Sequence, residues 1–271
     1  MFENWVGIDW SGAATRADRV NLAVARGDLG GLELVRPPSM KRKWTRNEAL
    51  EFLFELLKHP EPHLIGVDAA FGFPAGFARA WIGVEDWSAM VKEFGRLERK
   101  HERARDVAAA INEQFEGGPF RFNESRNDRR FYLAHDVAYF RQTDLLTPQC
   151  LSAFYMGSGA AVGFHTVTFL ACMSELIEAR ERGEVDFQVW PFEGELRGVH
   201  TFAEVYPALL EMPDARDDLS GDERDAMKIV QFLRDGRYAF EIHAFDLGRH
   251  LSFSRNAQIA SEGWILGPLG K

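Results

Sequence analysis

Two segments distant in the chain close alike: Val6-Gly7-Ile8-Asp9 and Ile65-Gly66-Val67-Asp68. Each is a run of β-branched residues broken by a glycine and ended by an aspartate. With turn formers after them (Ser11-Gly12 and Gly72-Phe73-Pro74), such runs are expected to be buried strands of an α/β sheet. In such sheets ligands gather at the carboxyl ends of the strands. Parallel neighbours lie about 4.8 Å apart, and two like charges that close do not both ionise readily without a cation between them. Asp9 and Asp68 are therefore candidates for metal-assisted phosphate chemistry. Glu204, a charge inside the apolar run Ala203 to Pro207, and Asp225, near the start of a late helix, extend the candidate catalytic set. Asp222 and Glu223 beside Asp225 are accounted for by compensation of the helix dipole. Carboxylates of this kind hold Mg²⁺ or Mn²⁺. Two such ions about 3.5–4 Å apart can activate a water and stabilise a leaving oxygen at a phosphodiester. Asp9, Asp68 and Asp225 are the expected metal ligands.

The elements that must position these acids follow from pattern. Strands are expected at 4–10, 20–25 and 32–35, with Gly12 and Gly27 to Gly31 in hairpin connections. Thr45 and Glu48 form a capping box for a helix carrying Leu50, Leu53, Leu56 and Leu57, and the strand ending at Asp68 follows. Three antiparallel strands, a crossover helix and a strand parallel to the first are the opening of a ribonuclease H-like mixed sheet flanked by helices. Residues 75–150 interrupt the order and are expected to be a mostly helical insertion in a single domain spanning 1–271, with helix over 90–115 and a loop over 120–130. A long helix over 152–182, strands at 187–190 and 202–206 and an amphipathic helix over 222–233 complete the expected elements.

Composition bounds the function. Apolar content of 46% and charged content of 27% suit an ordinary globular protein, and no run approaches the roughly 18–20 apolar residues of a membrane span. Without the pattern of a signal peptide, and with only Cys150 and Cys172, which lack metal-ligand spacing, the expected location is the cytoplasm. The net charge of −9 argues against a nucleic-acid coat protein, yet residues 1–150 are close to neutral. Basic clusters occur at Lys41 to Lys43 with Arg46, at Arg96 to Arg105, and at Arg121 to Arg130. Lys43, Ser11 and Arg141 are the candidate substrate contacts; Arg141, with Thr143 and Asp144, serves equally well as a cap for a following helix. The histidines show no zinc-protease spacing. Ser11 and Ser158 lack the context of a nucleophile elbow, and Gly157 to Gly163 lacks the strand that a dinucleotide loop requires.

Five motifs carry a resemblance: Val6-Gly7-Ile8-Asp9-Trp10-Ser11-Gly12, Gly66 to Pro74, Glu204-Val205-Tyr206-Pro207, Glu223-Arg224-Asp225-Ala226 and Glu262-Gly263-Trp264-Ile265. In this order they resemble domain-of-unknown-function family 429, described as predicted nucleases with a ribonuclease H-like fold. The resemblance implies a nucleic acid or nucleotide substrate. It matches Asp9, Asp68 and Asp225 to the family's acidic positions and Glu204 to its Glu-Val-Tyr-Pro segment. This chain departs in offering only Asp222 as a companion acid to Asp225. Two other functions share such a sheet. One is a phosphotransferase of the sugar-kinase and actin type, with Ser11-Gly12 on a phosphate and Asp68 as base. The other is a non-catalytic binding protein.

Overall fold

The computed structural model describes residues 2–122, 137–157, 161–194, 198–211, 218–236, 258 and 260–266. Its centre is a six-stranded mixed sheet. The strands are β1 (Asn4–Asp9), β2 (Ala23–Gly27), β3 (Leu32–Val35), β4 (His63–Val67), β5 (Gln188–Val189) and β6 (Thr201–Glu204). They lie in the order β3-β2-β1-β4-β6-β5. β1, β2 and β3 are antiparallel, whereas β4, β6 and β5 run parallel to β1. The helices are α1 (Arg46–Leu56), α2 (Phe77–Ile82), α3 (Trp87–His101), α4 (Ala104–Asn112), α5 (Gln142–Leu146), α6 (Val162–Glu181) and α7 (Gly221–Arg234). The chain is thus α/β, its sheet flanked by helices.

Period-two alternation splits the core into two layers. Val6, Ile8, Ile65, Val67 and Phe202 face one side, where they join residues of α1, α3, α4 and α6. Trp5, Ala25, Leu64, Ala203 and Val205 face the other, against Ala226, Ile229, Val230 and Leu233 of α7. The helical segment between β4 and α5 shares the first layer: Met90, Val91, Phe94 and Leu97 of α3 belong to the same cluster as Phe169, Leu170 and Met173 of α6. Gly95 makes that crossing close, since a Cβ there would fall 2.7 Å from Cβ of Ser174.

Several boundaries differ from the pattern. β2 begins at Ala23, because Val20 is taken by an isolated bridge to Trp44. The helix expected from 152 begins only at Val162. Over 152–156 the backbone is engaged elsewhere: Arg121 N–H donates to Phe154 (2.9 Å), and Met156 N–H donates to Arg121 (2.8 Å). Apolar content there reads as helix but serves a bridge between segments. The helix expected over 90–115 is two, α3 and α4, broken at Glu102, whose φ is +62°. Capping boxes hold where expected at Thr45 and Glu48, and Ser220 and Glu223 form another at the start of α7. The loop expected over 120–130 lies outside the described residues from 123 onward.

Candidate active site

β1 and β4 pair in register through Ile8 and Val67, and Asp68 N–H donates to the Ile8 carbonyl (2.9 Å). Asp9 and Asp68 are therefore the next opposed positions, at the carboxyl ends of adjacent parallel strands. The alternation that sends Ile8 and Val67 to one layer puts both aspartates on the face covered by α7. The glycine two residues before each has a physical reason. A Cβ on Gly7 would lie 2.4 Å from the Ala226 carbonyl oxygen, and one on Gly66 would lie 2.5 Å from Cγ2 of Ile229. Both glycines seat α7 against the sheet. That seating brings the first turns of the helix, with Asp222 and Asp225, over the two aspartates.

Electrostatics reports how crowded these acids are. Asp9 is 7% exposed. Burial, with the nearby charges of Asp68, Asp222 and Asp225, pushes its carboxyl up to about 9, against a smaller pull from Lys228. Burial, then Asp225 and Glu204, pushes Asp68 up to about 8. Asp222 is raised too, by burial and Asp225, while Lys43 opposes the shift. Asp225 accepts a hydrogen bond from Lys228 Nζ at 2.7 Å. Among the described residues nothing donates a hydrogen bond to the side chain of Asp9 or Asp68. Nor do three His, Cys, Asp or Glu side chains among them converge as a ready-made metal-binding group.

Glu204 belongs to a different arrangement. Its register partner Val67 and its alternate neighbour Phe202 point to the first layer, so Glu204 turns that way, while it lines one cavity with Asp68 and its charge reaches that carboxyl. Arg141 meets it with two hydrogen bonds of 2.7 Å, and the other side of the same guanidinium is held by Asp144. Arg141 is 1% exposed. The second oxygen of Glu204 also accepts from Phe71 N–H (2.9 Å). Glu262 acts likewise, accepting from Ala75 N–H (2.9 Å) and Gln142 N–H (2.7 Å). The Gly66–Pro74, Glu204 and Glu262 motifs thus meet in space. Their carboxylates fasten the backbone that follows β4 and so position Asp68. Arg141, expected at the substrate, has its donors occupied by protein acids.

Ser11 is buried, and the segment around it is immobilised. Buried Arg46 donates to the carbonyls of Ser11, Ala13 and Ala14. A Cβ on Gly12 would lie 2.1 Å from the Phe164 carbonyl carbon. The bend after Asp9 is packed against α6 rather than open around a ligand, and Trp10 Nε1 donates to Thr168 Oγ1 of that helix (3.0 Å). Lys43 is exposed and faces the first turn of α7. His165, which the sequence did not single out, borders the site. Burial holds its ring neutral, down to about 4, against an opposing hydrogen bond with the Asp68 backbone. A small-residue pattern on the α7 face of β1 and β4 was the available signal for the role of Gly7 and Gly66; nothing local marks His165 or Arg46.

No protein-family model, curated protein or solved structure matches this chain.

Proposed function

We propose that this chain is a phosphodiesterase dependent on a divalent cation, acting on nucleic acid from a ribonuclease H-like sheet. The observation that carries this reading is the opposition of Asp9 and Asp68 at the ends of parallel β1 and β4, beneath the Asp225-bearing turn of α7. The strand order β3-β2-β1-β4-β6-β5, with its first three strands antiparallel, supports the same fold reading. The donor set suits Mg²⁺ or Mn²⁺: hard oxygens, crowded like charges, and no hydrogen-bond donor on either central carboxylate among the described residues. Asp9 and Asp68 would hold the cation, with Asp225 as the third ligand and Asp222 as its companion. The cation would supply activation of a water and stabilisation of the departing oxygen at a phosphodiester.

The chain's own residues do the rest. The glycine seats hold α7 down so that its acids meet the sheet edge. Glu204 and Glu262 fix the strand β4 exit from the other face, and Arg46 fixes the exit of β1. The phosphotransferase reading fits less well, because the Ser11-Gly12 bend that it needs open is packed on α6.

Thermal unfolding with chelator and with millimolar Mg²⁺ or Mn²⁺ tests the site. A cation at about ten times its dissociation constant stabilises the native chain by ~1.4 kcal/mol, and Asp9→Asn removes that gain. Cleavage of a panel of labelled DNA and RNA strands, lost in Asp9→Asn, tests the activity. A chain that neither gains stability with these ions nor cleaves any strand overturns the reading.

A further inference from the structure

A cleft of about 240 Å³ opens beside the acids, between the β2 and β3 end of the sheet and the start of α7. Its rim carries Arg36, Arg42 and Lys43 on one side and Ser220, Asp222 and Glu223 on the other. All three cations are exposed, and none forms an ion pair with a carboxylate among the described residues. The contrast with α3 is direct. There Arg96 is paired with Glu93 and Arg99 with Glu178, so two cations of that run are already paired with the protein's own acids. At the cleft three cations gather; Glu223 feels Arg36 and Arg42 and Asp222 feels Lys43 across it, yet among the described residues no carboxylate reaches contact distance, an arrangement that an anion spanning them stabilises. The α7 terminus adds no anion site of its own. Its Ser220 and Glu223 are taken up by the capping box, in which Glu223 N–H donates to Ser220 Oγ and the Glu223 carboxylate accepts from Ser220 N–H.

We infer that this cleft seats the backbone phosphates of a nucleic-acid strand flanking the phosphodiester presented to Asp9 and Asp68, with Arg36, Arg42 and Lys43 as the phosphate contacts. The inference rests on the phosphodiesterase reading, and it names where that substrate runs. Asp222 joins the two regions. It lines the cleft with Lys43 opposite and is among the charges that act on Asp9. Contacts of this type read charge and position, not base sequence. The walls from β2 and β3, including Val24 and Val35, are apolar and suit the sugar edge of a single strand.

The experiment is anisotropy of a labelled single-stranded oligonucleotide against salt, in chelator so that nothing is cleaved. It compares the native chain with the triple variant Arg36→Ala, Arg42→Ala, Lys43→Ala. Three phosphate contacts contribute about −2 to the slope of log K against log salt for a single strand. The triple variant is expected to lose that slope and to bind at least ~10-fold more weakly at low salt. The control removes the same charge from α3 through Arg96→Ala, Arg99→Ala and Lys100→Ala, and it is expected to bind as the native chain does. No binding by the native chain, unchanged binding by the cleft variant, or an equal loss in the α3 control overturns the inference. Unfolding with and without Mg²⁺ is run on the same proteins. A cleft variant that keeps its cation gain and loses strand binding supports both readings. A native chain without that gain, whose strand binding still needs the three cations, removes the phosphodiesterase and leaves the cleft as a nucleic-acid site.

Discussion

Two groups of buried acids occupy the same edge of the sheet and are treated in opposite ways. Glu204, Asp144 and Glu262 have a donor for their carboxylates: the Arg141 fork, or backbone N–H groups of the segments they fasten. Asp9 and Asp68 have no hydrogen bond on their side chains among the described residues and sit within one another's field. Burying a charge costs several kcal/mol unless it is paired. The first group meets that cost with partners inside the protein, whereas the second avoids it by holding its protons to higher pH. Acids of the first kind hold a fold together. Acids of the second kind cost stability as pH rises and their protons leave, and under the proposed function a cation would take the protons' place.

The contrast can be broken most forcefully at Arg141. Arg141→Met leaves Glu204 and Asp144 buried without their counter-charge and is expected to cost ~3–5 kcal/mol in denaturant unfolding. A loss below about 1 kcal/mol would make the two groups of acids equivalent. Arg141→Lys is expected to restore little, since an ammonium cannot span two carboxylates as the planar fork does.

A smaller loss is expected at the glycine seat. Gly66→Ala drives a Cβ into Ile229 of α7 and is expected to cost ~1–3 kcal/mol. It should also weaken any gain in stability with Mg²⁺ or Mn²⁺, because α7 carries Asp225, the proposed third ligand. Unfolding with full cation gain in this variant would separate α7 from the site.

Asp9→Asn is expected to act in the opposite direction from Arg141→Met. Asp9 rises from an ordinary value of 3.8 to about 9 in the folded chain, so between those values the folded state holds a proton that the unfolded state has released. Stability in chelator therefore falls as pH rises through that window. Asn, which does not ionise, flattens this fall and is expected to add ~1–2 kcal/mol at pH 8, roughly 2–8 °C in melting temperature. An unchanged pH profile in the variant would show that Asp9 is not crowded. The smallest effect belongs to Lys228→Met. Its pair with Asp225 is partly solvated, so the change in stability should stay below ~1 kcal/mol, with the Asp9 effect growing slightly as a cation that opposes it is lost.

Much of this was legible from residue order. The strands ending at Asp9 and Asp68, the capping box at Thr45 and the inward face of α7 at Ala226, Ile229, Val230 and Leu233 all follow from local periodicity and cap chemistry. The start of α6 did not, because an apolar run does not reveal whether its backbone will turn into a helix or bond across to Arg121. Glu204 carries the sharper lesson. In sequence it resembles Asp9 and Asp68, an acid at the end of an apolar strand.

Spacing within a strand states which residues share a face, and this alone paired each glycine with its aspartate. It does not state which face of β6 matches which face of β4, because that depends on the register between strands distant in the chain. Only the assembled sheet turned Glu204 toward Arg141. The same holds for the cleft: Lys43 and Asp222 are far apart along the chain, and they face each other because α7 lies on the glycines of β1 and β4. Local signals determine elements, since their hydrogen bonds close within a few residues; partners for buried charge are settled by packing, which no short segment contains.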